Sequence, residues 1–185
     1  MTHPETSDER TSWKIHDEWL VDDSRRLSLS LAHVELPDGV HFEQYVLRMP
    51  RASIVVPIDE AKENVLMIWR HRFIMDQWTW ELPGGYVDPG EDPLASAARE
   101  VEEETGWRAE KITPLGSFQP LAGTADFENL LYLAEDCKPT GNAPDINEAA
   151  RAEWIPLSSI YGKIRCGEII GAAAQIGLLH VLMQR

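Results

Sequence analysis

Leu27, Leu29 and Leu31 alternate with serines, and beyond Pro37-Asp38-Gly39 the apolar positions resume at Phe42, Tyr45, Val46 and Leu47. Period-2 alternation on both sides of a Pro-Asp-Gly turn predicts an antiparallel meander of two or three strands from Trp13 onward. Two unbroken apolar runs follow at 54–58 and 65–69, flanking the charged segment 59–64. They predict a second hairpin, and the first run, apolar throughout, predicts a central strand buried on both faces. Further strands are expected at 115–118 and 130–133, separated by a loop over 119–129, and a last one at 154–157 after a turn-rich connection over 138–144. The remainder, 158–185, predicts two helical pieces broken near Cys166-Gly167, and the polar, aperiodic residues 1–12 predict a flexible tail.

Between these strands lies a segment with helical signals at both ends. Asp92 is placed to cap a helix, Pro93 suits its first position, where the missing N–H is no loss, and Gly106 is a stop signal. The helix is expected over 93–105. At 3.6 residues per turn, Glu100, Glu103 and Glu104 share an arc of roughly 100°, with Leu94, Ala98 and Val101 on the opposite side. Like charges at these spacings repel, each pair costing a helix a few tenths of a kcal/mol. A hard divalent cation would offset that repulsion, and Arg99 can hold one or more glutamates, Glu91 among them, through a bidentate pair.

The charge of the whole chain sharpens this picture. Its 185 residues fit one domain, with 31 acidic and 17 basic side chains and a net charge of −14. Such a balance argues against a nucleic-acid or anionic membrane partner. Residues 85–105 alone hold seven acids and one base, so nearly half the excess sits at the proposed cation site. A polyanionic substrate would then need metal ions as adaptors. Cys137 and Cys166 stand far apart without metal-type spacing and read as ordinary thiols. The apolar run at 169–182 is interrupted by Gln175 and His180, is too short to span a bilayer and reads as a core helix. Nothing in the opening residues reads as a leader, so a cytoplasmic location is expected.

The spacing Gly85-x5-Glu91-x7-Arg99-Glu100-Val101-x-Glu103-Glu104-x-Gly106-Trp107 resembles the signature of the Nudix hydrolases at every fixed position. Seven identities at residue frequencies of roughly 7% give a chance match on the order of 10⁻⁸ per register. The resemblance implies an α/β/α sandwich with a mixed sheet, preceded here by a small antiparallel meander. It also implies hydrolysis of a nucleoside diphosphate linked to another moiety, with Mg²⁺ or Mn²⁺ as cofactor. By the same resemblance Glu100, Glu103 and Glu104 are the metal ligands, joined by the backbone carbonyl of Gly84.

The meander, Arg70-His71-Arg72, the segment Trp80-Glu81-Leu82-Pro83-Gly84-Gly85 and a closing Gly167-Glu168-Ile169 helix are similar to the ADP-ribose pyrophosphatase branch of that superfamily. That branch implies a homodimer built through the meander. The expected division is a tail at 1–12, a dimerisation element at 13–50 and a catalytic domain at 51–185. Arg72 takes the place of the branch's substrate-contacting arginine, and Glu81 is read either as a metal or ribose contact or as a structural acceptor. The loop at 119–126 departs from the branch's Ser-Pro-Gly-like turn, with Ala122 before Gly123. A glutamate from a mobile loop beyond the signature often acts as general base in such enzymes. Glu148 fits that place, with Asp126, Glu128, Glu103 and Glu153 as competitors. Alternatives are a nucleoside triphosphate pyrophosphatase, against which the meander argues, and more remotely a non-enzymatic Nudix ligand sensor.

Overall fold

The computed structural model describes residues 11–184, so most of the tail expected at 1–12 lies outside the described residues. The described residues form two compact units, one running up to residue 49 with 121–127, the other comprising 50–120 and the chain from 128 onward. The first unit is a sheet in the order β1-β2-β3-β9, built from β1 (Lys14–Asp22), β2 (Ser28–Glu35), β3 (His41–Arg48) and β9 (Ala125–Asp126). β1 to β3 form an antiparallel meander, with Gly39 at φ 83° in the β2–β3 turn. The expected loop over 119–129 is therefore not entirely loop. It contributes β9, parallel to β3, fastened by Leu47 N–H to Thr124 C=O and Met49 N–H to Asp126 C=O, both at 3.0 Å.

The second unit holds two sheets. One has the order β7-β4-β10-β8, from β4 (Ala52–Pro57), β7 (Gly84–Tyr86), β8 (Trp107–Phe118) and β10 (Asn129–Pro139). The other has the order β11-β5-β6, from β5 (Asn64–Arg72), β6 (Gln77–Glu81) and β11 (Arg151–Pro156). β4 is buried at every position because it is covered on both faces. Val55 packs with Ala97 and Val101 of helix α1 (Pro93–Thr105), while Val56 lies close to Gly177 of helix α3 (Ala172–Met183). A Cβ on Gly177 would come within 2.7 Å of Leu82 and 3.1 Å of Val56, so the glycine sets how near α3 approaches. A short helix α2 (Ile160–Arg165) precedes α3, with a break at Gly167. The result is a mixed α/β fold with a helix on each side of β4.

The hairpin expected from the runs at 54–58 and 65–69 is not formed. Only the bridge Ile58↔Val65 joins them, and the two strands enter different sheets. Both edges of β4 are already taken, by β10 in parallel and β7 antiparallel, which leaves β5 to pair with β6 and β11. The chain turns the corner on Asp59, whose carboxylate accepts from the N–H of Glu63 at 2.8 Å and of Asn64 at 3.0 Å. β8 is also longer than expected, because it pairs with β10 along its whole length. Cys137 and Cys166 are free thiols. Among the described residues no helix is long and apolar enough to cross a membrane.

Candidate functional site

Helix α1 carries most of the site. Asp92 caps it by accepting from Ala95 N–H at 3.2 Å, a contact worth about 1 kcal/mol, and Pro93 opens it. Gly106 ends it in the left-handed region at φ 74°, its N–H bonded to Glu102 C=O at 2.9 Å. A side chain there would also strike the Asn142 carbonyl. The buried stripe is Ala97, Val101 and Thr105, with Ser96 beside it. Leu94, expected on the core side, is 41% exposed. The small residues Ser96 and Ala97 rotate the helix onto the sheet, and Ser53 on β4 donates to the Pro93 carbonyl at 2.9 Å.

Arg99 holds the outer face together. Its Nε and Nη2 pair with both oxygens of Glu91 at 3.0 and 3.2 Å, and its Nη1 reaches Glu100 at 2.8 Å and Glu103 at 3.0 Å. Glu91 also accepts from Asp88 N–H at 3.1 Å, and the Arg99 bonds hold its carboxyl below the usual range. Glu100 leans against Gly85, where any Cβ would collide with the carboxylate. A side chain there would have to displace the Glu100 carboxylate from its bond with Arg99.

Glu104 is 2% exposed and unlike its neighbours. It accepts from Gly84 N–H at 2.7 Å and from Arg70 Nη1 at 3.1 Å. Burial nonetheless pushes its carboxyl up to about 8, with Gly84 and Arg70 pulling the other way. Burial also raises Glu100. A Cβ on Gly84 would run into the Ser53 carbonyl, so the backbone must be bare where β7 meets β4.

The loop over 140–150 completes the site. Asp145 N–H donates to the Glu103 carbonyl at 3.1 Å, and the Asp145 carboxylate accepts from Asn147 N–H at 2.8 Å. The turn so formed directs Glu148 toward Arg70, whose Nη2 reaches it at 2.9 Å. Arg99, Glu100, Glu103, Glu104 and Glu148 thus line one cavity of about 600 Å³. A smaller cavity of about 150 Å³ adjoins it, sharing Glu148 and walled by Arg70, His71 and Trp78. Trp78 is half exposed and stacks on Trp69 at 6.1 Å, whereas Trp80 is buried under Arg151.

Arg72 and Glu81 lie on adjacent strands, β5 and β6, and face each other in a two-pronged pair, with Nε to Oε1 at 2.8 Å. The guanidinium of Arg72 is raised chiefly by Glu81 and more weakly by Glu104 and Glu148. Sequence reasoning chose Arg72 and passed over Arg70. The signal for Arg70 was present in the strand period, since residues 70 and 72 point to the same side of β5. Of the competitors to Glu148 only Glu103 shares the cavity. Glu153 is on β11 in a pair with Arg151, and Glu128 precedes β10.

Comparisons with known proteins agree with this architecture. The chain is 44% identical over 170 residues, 92% of its length and 82% of the relative's, to a CMP-5′-(N-acetyl-N-hydroxy-3-aminopropyl)phosphonate hydrolase of Streptomyces rubellomurinus. It is 30% identical over 151 residues, 80% of its length and 72% of the relative's, to an ADP-ribose pyrophosphatase of Mycobacterium tuberculosis. The crystal structure of an ADP compounds hydrolase superposes with a TM-score of 0.78 over 93% of each chain at 21% identity, a likeness of fold. Residues 48–173, more than half of the chain, match the NUDIX domain family, so the chain belongs to the Nudix hydrolases.

Proposed function

We propose that this chain is a divalent-metal-dependent pyrophosphatase that cleaves the P–O–P anhydride of ADP-ribose or a related nucleoside diphosphate sugar. The products are a nucleoside monophosphate and a sugar phosphate. The observation that carries the reading is the convergence of Glu100, Glu103, Glu104 and Glu148 on one cavity lined by Arg99, with Arg70 bonded to Glu104 and Glu148.

The donor set fits Mg²⁺ or Mn²⁺. All four side chains offer hard carboxylate oxygens, and burial disfavours charge on Glu100 and Glu104, a cost a dication would offset. Glu100, Glu103 and Glu104, with the Gly84 carbonyl, would hold the ion. When bound, it would supply charge neutralisation on the anhydride oxygens and acidify water. Arg99, anchored on Glu91, keeps Glu100 and Glu103 from turning away. Glu148, about half exposed on its loop and held by Arg70, is placed to take a proton from attacking water, with Glu103 as the competing base. Arg72 and Glu81, paired beside the site, are assigned to substrate contact, the guanidinium to phosphate and the carboxylate to ribose or metal.

A second reading is favoured by the 44% relative, which covers more of the chain than the ADP-ribose pyrophosphatase does. In it the nucleotide is cytidylate and its partner a phosphonate. A panel of ADP-ribose, other nucleoside diphosphate sugars, CMP-linked phosphonates and nucleoside triphosphates, with products identified by chromatography, separates the two. The first reading expects a nucleoside monophosphate and a sugar phosphate with the highest kcat/KM on a diphosphate sugar. Preference for the CMP-linked phosphonate would select the second. Pyrophosphate release from triphosphates alone would overturn both.

A further inference from the structure

Three of the chain's six histidines, His16, His33 and His41, gather on one face of the meander with Glu35. Their ring centroids lie 5.1 to 5.5 Å apart, so each imidazole touches the other two. His16 Nε2 meets Glu35 Oε2 at 2.6 Å, and His41 Nδ1 meets His33 Nε2 at 3.1 Å. One ligating atom from each of His16, Glu35 and His41 lies within 4.8 Å of the others.

The backbone makes this grouping. Glu35 on β2 is directly opposite His41 on β3, and His33 precedes Glu35 by two positions on the same face. His16 stands at a bulge in β1, between the pairs Ile15↔Val34 and Asp17↔His33. A bulge frees one residue from the ladder and re-aims its side chain, and here it turns His16 onto the Glu35 face. Trp19 stacks over His33 at 6.5 Å with rings 13° apart, covering one side of the group.

We propose that His16, Glu35 and His41 form a binding site for a borderline-soft transition-metal dication of the Zn²⁺ class, separate from the acidic cavity. Two imidazoles and a carboxylate are a common three-residue zinc set, with water in the fourth position. Ligand atoms about 2.1 Å from a tetrahedral ion stand roughly 3.4 Å apart, so the His16–Glu35 bond opens by less than about an ångström as the ion enters. Lys14, 3.7 Å from Glu35 and largely exposed, opposes a second cation and must swing aside. His33 bonds the His41 ring from behind and sets its orientation, the usual task of a group one step out from the ion. The ion would tie together three strands, one of which, β1, is exposed at every position.

The test is calorimetric titration of the full chain with Zn²⁺ in excess Mg²⁺, which occupies hard carboxylate sites and competes poorly for imidazole. One Zn²⁺ per chain is expected in wild type, with affinity at least about tenfold weaker in His16→Ala and His41→Ala and unchanged in His180→Ala. Long-range ¹H–¹⁵N spectra of the wild type need no variant, and ring nitrogens of His16 and His41 should shift on adding Zn²⁺ while those of His180 stay put. No uptake, equal affinity in the two alanine variants, or unmoved His16 and His41 resonances would overturn the site.

Discussion

Arg70 donates through Nη2 to Glu148 at 2.9 Å while its Nη1 rests on Glu104 at 3.1 Å, so one guanidinium spans a loop acid and a buried helix acid. Arg70 thereby holds the Glu148 carboxylate against the helix. Glu148→Gln should lower kcat by roughly 10²- to 10⁴-fold, the range for a positioned base, with substrate affinity and metal-induced stabilisation near normal. Arg70→Met should lower kcat less, because Glu148 loses the guanidinium that orients it but keeps its carboxylate. Steady-state kinetics check both. A wild-type kcat in Glu148→Gln with a collapsed kcat in Glu103→Gln would move the base to Glu103.

Substituting the helix acids reads the metal site directly. Glu104→Gln or Glu100→Gln removes a charge at nearly constant volume and should cost on the order of 10²-fold or more in turnover with the fold intact. Wild-type protein should melt at higher temperature in Mg²⁺ or Mn²⁺, and the variants should lose most of that shift. Near-normal turnover of both variants at saturating Mg²⁺ would refute the assignment.

Glu104 also predicts how stability depends on pH. Its carboxyl is raised from 4.5 to about 8 by burial, so the folded protein holds a proton that the unfolded chain releases. The stability this confers is complete below the unfolded value and is lost as pH climbs toward about 8, at no more than about 1.4 kcal/mol per pH unit. Metal-free urea denaturation should show the wild type weakening over that window relative to Glu104→Gln. Because the ion must displace the proton, Mg²⁺ affinity should rise across the same window. A pH-independent difference between the two proteins would contradict the placement of Glu104.

Trp13, Ile15, Trp19, Leu20, Val21 and Tyr45 of the meander are all about half exposed or more. That apolar surface is larger than isolated side chains need explain, and we infer that it packs on a second copy of the chain in a two-fold dimer. Light scattering at micromolar concentration should give twice the chain mass, and Trp19→Glu should shift it toward the monomer. A monomeric wild type would refute the dimer.

Helix α1 was legible from local chemistry alone. Asp92, Pro93 and Gly106 mark its limits, and the glutamate spacing sets one acidic row, because caps and the 3.6-residue period act within a few residues. The burial of β4 was legible for the same reason, since the run at 54–58 is apolar at every position. Only the tertiary structure decided where β5 would pair, since the claims of β7 and β10 on the edges of β4 come from remote segments. Packing against the sheet chose which helix row was buried, leaving Leu94 outside and Glu104 inside. Arg70 and Glu148 are 78 positions apart, and His16 reaches Glu35 only through a bulge. No periodicity encodes such meetings, because they depend on strand register and loop closure, which the whole fold settles at once.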